Sequence, residues 1–276
     1  MSSSPTITLA SYNMHKAVGL DGRRDPHRVL RVLQEIDADI VALQEADKRI
    51  GGRGSTVPHE LIDSHGLYKP VHLGVRHKRA FDKLRKHSDR LLKVNTRNIG
   101  WHGNAILVKH HVGVLGCEAL DLPTLEPRGA VMAELLIGDK PLRVVGMHLD
   151  LSGLWRRRQM RAILEAIARR PQKMPTVLMG DTNEWRTVAG CLNDLEPEFH
   201  IAPTGPSFHA RHPVAQLDRI IVHKDLSIQE AGVHMSAAAR RASDHLPIWA
   251  KVSASPRSSS GAGAGSTSRY PLLRDI

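Results

Sequence analysis

An α/β (α+β) sandwich of two packed sheets with helices outside is the fold this sequence predicts, on three observations. Short apolar runs with strand-like patterning recur along the chain, long helical patterns are few, and polar residues collect where the strands end. The 276 residues can bury an ample core, and 41% hydrophobic against 24% charged residues is ordinary for a globular chain. No apolar run approaches the ~20 residues needed to cross a bilayer. The start, Met1-Ser-Ser-Ser-Pro-Thr, carries neither a basic n-region nor an apolar h-segment, so a cytoplasmic location is the expectation.

Ile7-Thr-Leu-Ala-Ser-Tyr-Asn alternates as a strand does. Asp25-Pro26 starts a helix, with an N-cap acceptor followed by proline at the first helical position. Val29, Leu30, Val32, Leu33 and Ile36 make its apolar face. Ile40-Val-Ala-Leu-Gln-Glu is a short buried strand ending in a carboxylate, and Asn104-Ala-Ile-Leu-Val-Lys, Val131-Met-Ala-Glu-Leu-Leu-Ile and Leu142-Arg-Val-Val-Gly-Met-His-Leu follow as strands. Trp155 to Arg170 is a basic helix with Met160, Ile163, Leu164 and Ile167 on its inner side. Thr176-Val-Leu-Met-Gly-Asp is again a strand ending in an acid; Leu217-Asp-Arg-Ile-Ile-Val and Ile248-Trp-Ala-Lys-Val close the series. From Ser253 the chain is low-complexity Ser, Ala and Gly. The expected division is therefore a folded domain over 1–252 and a disordered tail over 253–276. The two cysteines, Cys117 and Cys191, form neither a disulfide framework nor a zinc pattern and read as buried free thiols.

Asn13 and His15 follow the first strand, Glu45 the second, His148 a middle one, and Asp181 and Asn183 a later one; Ser243-Asp244-His245 precedes the last. Alone, each has an ordinary structural explanation as a turn residue, a cap or a satisfied histidine. Their joint placement at strand ends, where α/β sheets hold their sites, points to chemistry. Glu45, Asp181 and Asp244 offer hard oxygen ligands suited to Mg²⁺, with Mn²⁺ as a substitute. The histidines are too scattered for a zinc signature.

The balance of 39 Lys and Arg against 28 Asp and Glu gives a net charge of +11. With a pI near 10.0, it favours a polyanionic partner: nucleic acid, an anionic membrane surface or a phosphorylated metabolite. Arg76 to Arg97 carries nine Lys and Arg against two Asp, with Phe81, Leu84, Leu91 and Leu92 near helical spacing, and reads as a basic amphipathic insertion.

Ser11-Tyr-Asn-Met-His-Lys, Leu43-Gln-Glu, Gly180-Asp-Thr-Asn, Leu217-Asp-Arg-Ile-Ile-Val and Ser243-Asp-His-Leu-Pro occur in the order seen in the endonuclease/exonuclease/phosphatase superfamily, which the chain resembles from residue 6 to about 252. The resemblance implies a DNase I-like, four-layered sandwich of two packed mixed β-sheets flanked by helices, and a Mg²⁺-dependent phosphoesterase. It also implies roles. Glu45 is then the principal metal ligand, with Asn13 and Asp244 serving the metal site. Asp181 orients or deprotonates the attacking water, Asn183 steadies the transition state, and His245 contacts the scissile phosphate with Asp218 as its orienting partner. His148 protonates the leaving oxygen. Arg128, Asn104 and His15 fall at positions suited to binding or supporting the substrate.

Two departures narrow the substrate. The Trp-Asn-x-x-Gly start of the abasic-site endonucleases is absent, and where the 5-phosphatases carry Trp-Cys-Asp-Arg this chain reads Gln216-Leu-Asp-Arg. Nucleic acid is the first expectation, with Arg76–Arg97 and Trp155-Arg-Arg-Arg-Gln-Met-Arg neutralising backbone phosphates. With aromatics at only 4%, duplex DNA suits better than single strands. A phospholipid headgroup or small phosphodiester is the alternative, with the same insertion lying on an anionic membrane. An inactive binding module carries little weight, because every core motif position holds the residue the family uses.

Overall fold

In the computed structural model, residues 6–47, 55–73, 100–124, 128–187, 189–195 and 197–255 are described. The basic stretch 76–97 and the tail from 256 lie outside them. β1 (Ile7–Asn13) and β2 (Ile40–Gln44) run parallel, so the chain must cross over between them. That crossover is α1 (Pro26–Ile36). Its start is the predicted one: the Asp25 carboxylate accepts from the Arg28 backbone N–H, and Pro26 sits where no N–H is needed.

The first sheet has seven strands. Its order is β12 (Leu226–Val233), β13 (Ile248–Ala254), β1, β2, β5 (Asn104–Val108) and β3 (Lys69–Pro70), with β4 (Gly100–Trp101) also paired to β5. The second sheet has six: β10 (Phe199–Ile201), β11 (Asp218–His223), β9 (Thr176–Asp181), β8 (Lys140–His148), β7 (Gly129–Ile137) and β6 (Val112–Asp121). Here β8 and β9 are the parallel pair, joined over the outside by α3 (Gly153–Ala168). Two short α-helices, α2 (His59–His65) and α4 (Ala239–Ala242), and two 3-10 turns, His15–Ala17 and Gly190–Leu195, complete the described elements.

Four layers follow from which side chains each strand turns inward. Leu9, Ile40, Ala42 and Ile106 meet Val131, Val144, Val177 and Ile220 between the sheets. Their neighbours in sequence, Ala10, Val41 and Leu43, face out against Val29 and Leu33 of α1. On the other side Met132, Val145, Met147 and Leu178 lie under Met160 and Ile163 of α3. Because both faces of the central strands are covered, β2 and β9 read as unbroken apolar runs.

Three expectations need correction. β13 pairs Ser253 with Ser227 and Ala254 with Leu226, so these residues belong to the sheet and not to the tail. Cys191 is buried but Cys117 only partly so, and both are free; burial pushes their thiols up, to about 11 and about 12. On α3, Arg156 and Gln159 are buried beside Met160 and Ile163, while Leu164 and Ile167 only border that core. No helix among the described residues is long and apolar enough to cross a membrane.

Candidate active site

Strand register brings the polar strand ends together at one edge of the sandwich. In the second sheet His148 and Asp218 are both cross-strand partners of Asp181. In the first, Asn13 pairs with Gln44, which puts Glu45 one residue beyond it. β13 begins beside Ser11, so Ser243-Asp244-His245 arrives at the same edge. Gly180 is required for this closeness, since a Cβ there would lie 1.8 Å from the Met147 carbonyl oxygen.

Asp181 is the hub. It is 1% exposed, and its Oδ2 accepts from Asn13 Nδ2 at 3.0 Å while Oδ1 accepts from the Asn183 backbone N–H at 2.9 Å. The His148 Nε2 and His245 Nε2 lie 3.4 and 3.8 Å from the same Oδ2. His245 turns its Nδ1 to Asp218 Oδ2 at 2.8 Å, and the Ser207 hydroxyl donates to that oxygen as well. The result is a carboxylate–imidazole–carboxylate line running into Asn13, which sits on the other sheet. A second tie between sheets is Asn104 Nδ2 donating to the Gly129 carbonyl at 2.8 Å, beside Arg128. The Arg128 guanidinium lies against the His148 ring, 2.9 Å from Nδ1.

Asn183 has a left-handed backbone (φ 49), and its side-chain amide donates to the Leu149 carbonyl at 2.9 Å with one of its two hydrogens. That loop is held from beneath. The buried Arg219 donates to Thr182 Oγ1, to the Glu184 carbonyl at 2.9 Å and to the Arg186 carbonyl at 2.9 Å. Arg156 pairs with Glu184 at 3.2 Å. Of the arginines expected to meet phosphate from α3, Arg156 is therefore consumed internally, and Arg161 pairs with Asp194.

A cation already stands at the expected metal ligand: Lys16 Nζ is 2.7 Å from Glu45 Oε2. Glu45 and the run His15, Lys16, Ala17 all have left-handed backbones, which L-residues adopt at a cost. Asp244 lies with its Oδ1 3.8 Å from His15 Nδ1. The polar groups that close these strands here are Glu45, Asp244 and the Asn13 side chain, whose Oδ1 accepts from the His15 backbone N–H; oxygen donors of this kind suit a hard divalent ion. Asp181, Asp218 and His245 also bring ligand atoms within 4.8 Å of one another and could hold an ion. The His245 nitrogen, already committed to Asp218, makes that group better suited to moving a proton.

Four contributors went unassigned in the sequence. Ser207 holds Asp218. Ser243 donates to the Asn13 carbonyl at 2.7 Å and accepts from the His245 backbone N–H. Phe208 covers the His245 ring with centroids 4.8 Å apart. Lys16 meets Glu45. Only Ser243 and Lys16 lay within motifs the sequence displayed.

Burial pushes Asp181 up to about 6, and Asp218 adds to the rise while His245 opposes it. Burial disfavours charge on His245, yet Asp218 and Asp181 outweigh it and hold the ring protonated up to about 10. The raised His245 value stabilises the fold fully below the unfolded value of 6.5, and that contribution is lost as pH rises through about 10. In metal-free protein, the stability gap between wild type and His245→Gln should narrow across that window in urea unfolding. A gap independent of pH would contradict the ion pair.

Comparison with known proteins bears on the family and the fold. The uncharacterized protein YbhP of Escherichia coli (strain K12) is 26% identical over 162 residues, covering 55% of this chain and 63% of that relative, so the match spans less than two thirds of the relative's length. Two solved structures share the fold. One is an endonuclease/exonuclease/phosphatase from Beutenbergia cavernae (TM-score 0.63, 19% identity, 90% of this chain and 72% of that one). The other is D. rerio TDP2 complexed with single strand DNA product (TM-score 0.61, 17% identity, 90% and 98%). A model of the Endonuclease/Exonuclease/phosphatase family matches residues 10–245, from β1 to the histidine of the Asp181 cluster, and this chain belongs to that family.

Proposed function

We propose that this protein is a Mg²⁺-dependent phosphodiesterase, with Mn²⁺ able to substitute. The observation that carries the reading is the Asp218–His245–Asp181–Asn13 line, buried at the sheet edge beside Glu45. Glu45, with Asn13 and Asp244, would hold the metal ion, which supplies positive charge to the non-bridging phosphate oxygens. Asp181, ionising near neutrality, accepts the proton of the attacking water. His245, kept cationic by Asp218, offers an N–H and a charge to the phosphate. Arg128 with His148, and the spare Asn183 amide hydrogen, supply further donors.

For substrate, the net charge of +11 suits a polynucleotide, and the fold is shared with a TDP2 whose structure holds a single-stranded DNA product. Exposed aliphatic side chains around the site favour a second reading, a phosphodiester at a lipid surface. The test is a panel of supercoiled plasmid, short RNA, phospholipid vesicles and bis-p-nitrophenyl phosphate, each with Mg²⁺, with Mn²⁺ and with EDTA. Metal-dependent turnover of at least one phosphodiester is the expected result. Turnover no higher with metal than with EDTA on all four would remove the proposal.

A further inference from the structure

Among the described residues, the exposed large hydrophobic side chains are Leu151 (65%), Leu154 (59%), Trp185 (63%), Val214 (80%) and Met235 (54%). Scattered singly, such residues would mean nothing. They are not scattered. Leu151 and Leu154 follow the end of β8 at His148, and Trp185 follows the end of β9 at Asp181. Val214 precedes the start of β11 at Asp218, and Met235 follows the end of β12, whose Val233 pairs with the first residue of β13. All five therefore stand at the sheet edge that holds Asp181 and His245.

Direct contacts join these segments. Arg156 donates to the Leu151 carbonyl with one nitrogen and meets Glu184, next to Trp185, with the other. The Trp185 ring meets Phe208 edge-on with centroids 6.3 Å apart, and Phe208 in turn covers His245. Val214 is bonded by its N–H to the Phe208 carbonyl at 2.8 Å. Arg240 reaches both Met235 Sδ and the Ala210 carbonyl. Trp185 is moreover flanked by backbone carbonyls that Arg219 clamps at Glu184 and Arg186. Its exposure belongs to a fixed loop, because both neighbours are tied down.

Charge completes the picture. Exposed arginines accompany the apolar groups: Arg157 beside Leu154, Arg186 beside Trp185, Arg211 before Val214 and Arg240 after Met235. The stretches 151–164, 185–187, 203–217 and 234–242 contain no Asp or Glu. Cationic heads beside apolar groups match the headgroup and acyl boundary of an anionic bilayer, where Trp and Arg side chains are both at home. A polynucleotide would be served by the arginines but not by Leu151, Leu154, Val214 or Met235, which offer no ring to stack on a base.

We infer that this edge docks on an anionic phospholipid surface, with the five apolar side chains entering the headgroup boundary and the site facing the bilayer. Where the phosphodiesterase reading holds, on which this choice of substrate rests, the scissile phosphodiester belongs to a lipid headgroup delivered in the plane of the membrane.

The experiment is co-sedimentation of the full chain with phosphatidylcholine vesicles, with and without about one third phosphatidylglycerol, at physiological salt. Wild type is compared with the variant Leu151→Ser/Leu154→Ser/Trp185→Ser. Wild type should bind the anionic vesicles, and the variant should bind them at least about tenfold more weakly, on the scale of losing three interfacial apolar groups. Turnover of soluble bis-p-nitrophenyl phosphate by the double variant Leu151→Ser/Leu154→Ser should stay within about twofold, because both side chains are exposed and lie outside the Asp181 cluster. The tryptophan emission of wild type should also shift to the blue on anionic vesicles, and Trp185→Phe should lose that shift. Equal vesicle binding by the variant, or a loss seen on plasmid DNA instead of vesicles, would overturn the docking surface. Vesicle binding without metal-dependent turnover supports the surface and removes the hydrolase reading; turnover without vesicle binding does the reverse.

Discussion

Asp181→Asn should lower Mg²⁺-dependent turnover of bis-p-nitrophenyl phosphate by at least about a hundredfold, the usual scale for a lost acid–base group, while leaving the fold as stable as wild type or more so. The two halves of that expectation have one cause. Asp181 is buried, and burial pushes its carboxyl up to about 6, so near neutrality the fold carries a charge that its surroundings resist. The raised value means that stability is lost as pH climbs from 3.8 through about 6, the opposite of an ordinary paired carboxylate. An asparagine keeps an oxygen for the Asn13 amide or the Asn183 N–H, removes the buried charge and cannot take a proton from water. Kinetics and urea unfolding on the same preparation check it. Near-normal turnover would discard the role of Asp181, and a large loss of stability would show the carboxylate to be structural.

Arg219→Met should cost about 3 kcal/mol of stability, the lower end of the range for breaking a buried charged network. Arg219 is 1% exposed, and burial lowers its pKa, so the fold already bears a cost to keep it there. It is retained by what it holds: the carbonyls of Glu184 and Arg186 and the Thr182 hydroxyl, all in the loop that carries Asn183. Methionine fills much of the volume but leaves those acceptors without their donor, at about 1–3 kcal/mol for each buried group. A freed loop also misplaces Asn183, so kcat should fall further than KM rises. A stability change below about 1 kcal/mol in urea unfolding would contradict this account of the loop.

Sequence patterning reached the central strands because both of their faces are buried, and it picked out the candidate site residues because they close those strands. The edge strands escaped it. β6 is mostly half-buried and broken by a register shift between Val114 and Gly116, and β12 exposes Gln229 and Glu230, so neither presents a clean apolar run. Roles such as that of Asp218 came from resemblance to a family, and the structure adds the contact that gives this one physical content, 2.8 Å to His245. Ser207 and Phe208 carried no signal, since each acts on a residue brought near only by folding. Counting charges also misled at Arg156, where the basic run on α3 hides an arginine turned inward to Glu184.

The central claim is that a divalent ion held at Glu45 works with Asp181 and His245 on a phosphodiester. Its most direct test is the Mg²⁺ dependence of p-nitrophenol release in wild type and Glu45→Gln. Wild type should saturate with Mg²⁺ and lose turnover in EDTA, and Glu45→Gln should need at least about tenfold more Mg²⁺, the scale of a lost metal-site interaction. Turnover indifferent to EDTA, or the same Mg²⁺ dependence in both proteins, would contradict it.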